Sequence, residues 1–243
     1  MSRIRTFLPV LLALSSLLLC LAVPAGAADE PDPNTITVPT LTAPPSLQGS
    51  IDVSWDPAAK LTLGQDFTYR RPTAEATEVR VAQDSTSLYI AFIVTQSEAR
   101  TQRQQTNGSS VTSDDYVGVY LYPHGTVGFQ YSFFANPVGT RYQTSSENSA
   151  YTPQWQAVGH ETPTGYVVTM RIPLEAIRSG GSTTWRAQFV RATVATGGLA
   201  AWTFSLRANN VGDPNYAGTL TGVGLTSTAA SRPKPRAQIY ASR

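Results

Sequence analysis

Residues 77–95, TEVRVAQDSTSLYIAFIVT, alternate apolar and polar positions on either side of Asp84-Ser85-Thr86-Ser87, which predicts two strands joined by a tight polar turn with one face buried. Residues 115–135, DYVGVYLYPHGTVGFQYSFFA, predict a second strand pair. GYVVTMRIP at 165–173 predicts a strand that runs into a short helical segment, with Pro173 in its first turn and Gly180-Gly181 beyond its end. The same pattern along the chain places strands at 61–63, 77–83, 88–95, 116–122, 128–135, 141–144, 166–172, 185–194, 200–205 and 218–223. No segment sustains a helical period. Many short strands, rich in Val, Tyr, Phe, Trp and Thr and separated by Gly, Pro, Asn and Asp, predict an all-β fold. The expected form is a two-sheet antiparallel β-sandwich of Ig-like or jelly-roll type.

The ends read differently. Arg3 and Arg5 precede an uncharged apolar run over 7–23, and Ala25-Gly26-Ala27 supplies small residues for a peptidase, so residues 1–27 are expected to be a secretory signal peptide cut after Ala27 or Ala28. Such a leader implies export, to the periplasm or outside the cell. Cys20 is the only cysteine and lies in that leader, leaving the mature chain without thiol or disulfide and dependent on its core. Residues 28–49 carry Pro31, Pro33, Pro39, Pro44 and Pro45 among polar residues and are expected to be an extended linker. Residues 50–225 then form the domain, and 226–243 a C-terminal tail or linker. Loss of Arg3 and Arg5 would leave sixteen basic groups against sixteen acidic ones. A balanced surface of that kind offers no footprint for nucleic acid.

The chemistry is sparse. Asp114-Asp115 is the most prominent acidic pair, but neighbours in a strand point to opposite faces and cannot flank one glycosidic bond. Asp114, Asp115 and Asp213, with Asn136, are instead the candidate oxygen ligands for a cation such as calcium, although none has the spacing of a dedicated calcium loop. His124 and His160 lack partners at metal-ligand spacing, and there is no G-x-S-x-G turn or phosphate-binding glycine loop, so no catalytic activity is expected. Arg171 and Arg191 are expected to pair with Glu78 or Glu175, or to meet glycan hydroxyls. Trp55, Trp155, Trp185 and Trp202 sit at strand starts or in alternating runs and are expected in the core. An aromatic surface would draw on Tyr116, Tyr120, Tyr122, Tyr142, Tyr151 and Tyr216.

The ordered series of Trp55, EVRVAQD, LYIAFIV, DDYVGVYL, an aromatic strand ending in Asn136-Pro137, Trp155, GYVVTMRIPL and RAQFVR resembles carbohydrate-binding module family 9 over roughly residues 50–223. The resemblance implies a non-catalytic β-sandwich, generally attached to bacterial glycan-degrading enzymes, that grips the end of a polysaccharide or oligosaccharide. It also implies two tryptophans sandwiching the terminal sugar, with carboxylate, amide and guanidinium groups on its hydroxyls. At those positions this chain has Val111-Thr112-Ser113 and the loop from Asn209 to Pro214, with Gly118 for the carboxylate and Phe134 near the arginine. Asn136 keeps a polar rim position. The candidate carbohydrate-binding residues are therefore Asn136, Asn209, Asn210, Arg171 and Tyr142. RPKPRAQIYASR resembles the basic joint by which longer relatives lead into an outer-membrane barrel. Two functions follow: a carbohydrate-binding module of an exported protein in polysaccharide breakdown or uptake, or an interaction domain that has lost the sugar slot and packs against a barrel or another envelope protein.

Overall fold

Twelve strands carry the fold in a computed structural model that describes residues 32–224. They are β1 (Thr35–Thr37), β2 (Ala59–Asp66), β3 (Arg71–Gln83), β4 (Ser87–Thr95), β5 (Tyr116–Tyr122), β6 (Tyr131–Ala135), β7 (Arg141–Ser145), β8 (Gln156–Thr162), β9 (Gly165–Pro173), β10 (Thr184–Thr193), β11 (Gly198–Ala201) and β12 (Gly218–Thr221). The expected signal peptide and C-terminal tail lie outside the described residues. Among the described residues no helix is long and apolar enough to cross a membrane.

The strands form two antiparallel layers, as the alternation predicts. One runs β7-β6-β5-β10 and the other β2-β3-β4-β9-β8, and β11 joins them by pairing with both β10 and β2. The junction with β2 is brief, Ala200 opposite Asp66 and Ala201 opposite Gln65, so the pair of layers is nearly barrel-like along that edge. Alternate residues of each layer point inward. Val79, Val81, Ile90 and Phe92 from one layer meet Val117, Val119, Ala187 and Phe189 from the other, and the rings of Phe92 and Phe189 lie 6.2 Å apart across the gap. Trp55, Trp155, Trp185 and Trp202 are all buried, and the indole N–H groups of the first three donate to Ser46 O, Gln143 Oε1 and Ser182 O at 2.8 Å.

The proline-rich segment expected to be a linker is folded from Asp32 onward. β1 adds to β12 as a parallel strand, Val38 is 3% exposed, and Leu41 N–H and Gln83 C=O bond at 2.7 Å. Beyond it, Leu41, Leu47 and Ile51 pack with Trp55 on Ala82, Tyr89 and Ala91, covering the outer face of β3 and β4. Pro39 costs the strap no bond, because it docks through its carbonyl, which accepts from Gln83 N–H at 3.0 Å, while Leu41 supplies the N–H. β8 was not expected either: it is an edge strand paired along its whole length with β9. The short helix after Pro173 is a single 3-10 turn, Leu174–Ala176.

Candidate functional site

With the outer face of β3 and β4 covered, the outer face of β5, β6 and β7 is the one that carries aromatic rings. Cross-strand register sets Tyr142, Phe134, Gly118, Val190 and Ala201 in one row across β7, β6, β5, β10 and β11. Phe134 lies over Gly118, where an added Cβ would fall 2.2 Å from its ring. Tyr116 and Tyr120, one position to either side along the face, meet the Phe134 ring edge-on at centroid distances of 5.5 and 5.3 Å, and Tyr142 stacks on it at 6.3 Å and 22°. These three tyrosines are half-buried. Among the described residues none of their hydroxyls bonds a protein group, and none is enclosed, so all three are available to a ligand. Burial pushes the Tyr116 and Tyr120 phenols up, which keeps both as neutral donors at ordinary pH.

The loop after β11 walls this face. Val211 joins the Phe134 cluster, Tyr122 donates its hydroxyl to Gly212 O, and a Cβ on Gly212 would meet the Tyr120 ring at 3.0 Å. The loop is pinned from the far side by Arg70, which donates to Ser205 O at 3.3 Å and Ala208 O at 3.0 Å while its guanidinium lies 4.5 Å from the Phe67 centroid. Asn209 and Asn210 are exposed in this loop, with Asn210 Oδ1 accepting from Gly212 N. The structure thus brings Tyr142 and the asparagine loop to one surface.

Other expected site residues are elsewhere. Asn136 is buried and fully used: its Nδ2 donates to Gln104 O and Asp114 Oδ2, and its Oδ1 accepts from Val138 N and Thr140 N. It fixes the turn after β6 and has no group left for a ligand. Arg171 lies in the opposite layer, its Nε donating to Ser87 Oγ at 3.0 Å. Glu78 pairs with Arg80 at 2.7 Å, and Arg191 pairs with Glu75 at 3.5 Å, so neither expected arginine partner is the one observed.

The acidic candidates do not converge on a cation. Asp115 accepts from Gln96 Nε2 and Thr101 N on Oδ2 and from Val194 N on Oδ1, at 2.7–3.0 Å. Asp114 Oδ2 accepts from Gln104 N and Asn136, while its buried Oδ1 has no protein partner. Asp213 caps the Pro214–Tyr216 turn by accepting from Asn215 N. Among the described residues no three His, Cys, Asp or Glu side chains gather as metal ligands. Sequence reasoning missed Phe67, Arg70 and Val211, whose roles depend on loops. It also missed that Gly118 faces Phe134 directly, a pairing legible only once the β5–β6 register is known.

The sequence model for the carbohydrate family 9 binding domain-like family matches residues 47–205. The chain belongs to that family. Solved structures share its fold: a candidate carbohydrate-binding protein from Bacteroides uniformis superposes with a TM-score of 0.61 at 18% identity, over 77% of this chain and 98% of the other. A family 9 module from Caldicellulosiruptor kristjanssonii in complex with cellotriose gives 0.59 at 16% identity over 83% and 100%. A glucose complex of a family 9 module from the same organism gives 0.58 at 15% identity over 77% and 94%. No curated protein matches the sequence significantly. The positions that the family 9 resemblance assigns to a carboxylate and an arginine, Gly118 and Phe134, lie in the aromatic row of the outer face, where a hydrocarbon ring replaces both charges.

Proposed function

We propose that this family 9 domain is a non-catalytic carbohydrate-binding module that holds a saccharide on the outer face of β5, β6 and β7. The observation that carries this reading is the trio of Tyr116, Tyr120 and Tyr142 around Phe134, with three hydroxyls unbonded to protein among the described residues. A sugar ring has an apolar C–H face that packs on aromatic carbon and a fringe of hydroxyls that phenol and amide groups can bond. Asn209 and Asn210 stand in the adjoining loop as the amide donors and acceptors. The amino-terminal leader supports export, and the family supports a place beside polysaccharide breakdown or uptake.

Cellotriose and glucose are the first ligands to test, since family 9 modules of the same fold hold them. Calorimetric titration of the full chain should show saccharide binding that Tyr142→Ala or Tyr120→Ala weakens at least about tenfold, the loss of one stacking ring. A second reading, an interaction surface for a barrel or another envelope protein, has the Phe134 ring in its favour, because that ring removes charge from the slot. A folded protein silent to a broad panel of soluble glycans would overturn the saccharide reading and leave the second.

A further inference from the structure

A separate pocket of about 160 Å³ opens between the two layers at the end where β3, β10 and β11 come together. The turn from Phe67 to Arg70 divides it from the aromatic face. Phe67 and Arg70 lean on the loop after β11, whereas Tyr69 bends the other way, donates its hydroxyl to Thr196 O and lines the pocket mouth at 47% exposure. Arg70 holds this reversal with a φ of 56°, the only non-glycine residue in left-handed conformation among the described residues.

The pocket wall carries a buried cation that is incompletely bonded. Arg191 is 4% exposed, and its Nη2 meets Gln96 Oε1 at 3.1 Å and Glu75 Oε2 at 3.5 Å, but its Nε has no partner. Arg191 Nε is enclosed and out of a ligand's reach, but the pocket is far roomier than the roughly 10–15 Å³ that a single water needs, and the carboxylates of Asp66, Glu75 and Glu98, the Arg71 guanidinium and threonine hydroxyls that line it suit a ligand with hydroxyls. The same lining decides its charge. Asp66, Glu75 and Glu98 face Arg71 and Arg191, an excess of carboxylate that disfavours an anion. The tyrosine at the mouth suits a ring with an apolar face.

We propose that this pocket is a second saccharide subsite, taking one neutral sugar residue through its hydroxyls. Glu75 is held ready as an acceptor: burial pushes its carboxyl up, but hydrogen bonds from Ser97 and the Arg191 charge outweigh that and keep it below the usual carboxylate range. The inference rests on the chemistry of the pocket and stands apart from the aromatic face, so each can fail alone.

The test is an amide-resolved NMR titration of the full chain with glucose, galactose, mannose and xylose, carried past roughly 10 mM to reach weak sites. Amides of Ala74, Ser97 and Gly198 report on the pocket, and those of Tyr120, Tyr142 and Asn210 on the aromatic face. Ser97 touches Glu75 through its backbone N–H, so Ser97→Trp fills the mouth without removing that bond. We expect pocket shifts with at least one sugar, reduced about tenfold by Ser97→Trp and also weakened by Tyr69→Ala, with the aromatic-face response unchanged. Pocket amides unmoved by all four sugars, or moved equally in both variants, would overturn the subsite. Shifts confined to the pocket would keep the subsite and refute the aromatic-face reading.

Discussion

A Cβ on Gly118 would meet Phe134 Cδ1 at 2.2 Å and Phe133 O at 2.6 Å, so glycine is what lets the Phe134 ring lie across β5. Gly118→Ala should destabilise the fold by about 1–3 kcal/mol through overpacking. Phe134→Ala should be costly alone yet should relieve the ring part of that clash, leaving the contact with Phe133 O, so urea denaturation of the double variant should show a coupling of roughly 0.5–3 kcal/mol; strict additivity would refute the ring contact. Asp84 makes a different kind of prediction. Its carboxylate accepts from Thr86 N at 2.7 Å, Ser87 N at 2.8 Å and the Tyr89 hydroxyl at 2.7 Å, fixing the turn between β3 and β4. Burial pushes its pKa up, but these donors win and hold it below the ordinary 3.8. A depressed carboxylate stabilises the fold fully above its unfolded pKa and loses that contribution as pH falls through the folded value. Asp84→Asn should therefore cost about 1 kcal/mol at neutral pH, and the gap to the parent should close only below about pH 4, as read from melting temperature against pH.

At the scale of elements, the strap over residues 32–55 is what the composition concealed. Its anchor is Gln83, fully buried, whose Nε2 donates to Gly222 O at 2.6 Å and Thr40 Oγ1 at 3.2 Å and whose Oε1 accepts from Gly224 N at 2.8 Å. Gln83→Ala leaves those groups unpaired and should cost about 1–3 kcal/mol. Hydrogen exchange should show β1 and β12 opening first, and uniform loosening of the whole sheet would contradict that assignment. Strands β4, β5, β9 and β10 were legible because each is a run of apolar, β-branched and aromatic residues of strand length, buried on most of its positions and bounded by turn residues. β1 and β8 were not. TIT is too short to show a period and is placed by backbone pairing with β12, while QAVGHET mixes Gly, His and Glu along an edge strand with only half-buried inward positions. The site was legible in parts for the same reason: Tyr142 and the asparagine loop follow from strand order, whereas Asn136 is taken by the turn it closes, and Arg171 falls on the other layer because β9 pairs with β4.

Across the molecule, one end of the sandwich is closed by polar groups instead of hydrocarbon. Gln96, just past β4, donates to Asp115 Oδ2 at 2.7 Å and accepts from Arg191 of β10 at 3.1 Å, and Arg191 reaches Glu75 of β3, so a continuous chain of bonds ties the two layers together. Removing one member of such a network strands the rest, and Asp115→Ala should cost about 3–5 kcal/mol, more than any surface substitution. The same bonds govern the question of metal. A cation that needs 6–8 oxygen ligands would compete for Asp115 with the three N–H donors that hold it, for Asn136 with the turn it closes and for Asp213 with the turn it caps. The single open oxygen of Asp114 is no substitute for a ligand set. Chelation with EDTA should accordingly leave both the melting temperature and the saccharide affinity of the full chain unchanged. A drop in melting temperature of several degrees that calcium alone restores would overturn this and show either that ligands are supplied from elsewhere in the chain or that the end network opens when the ion binds.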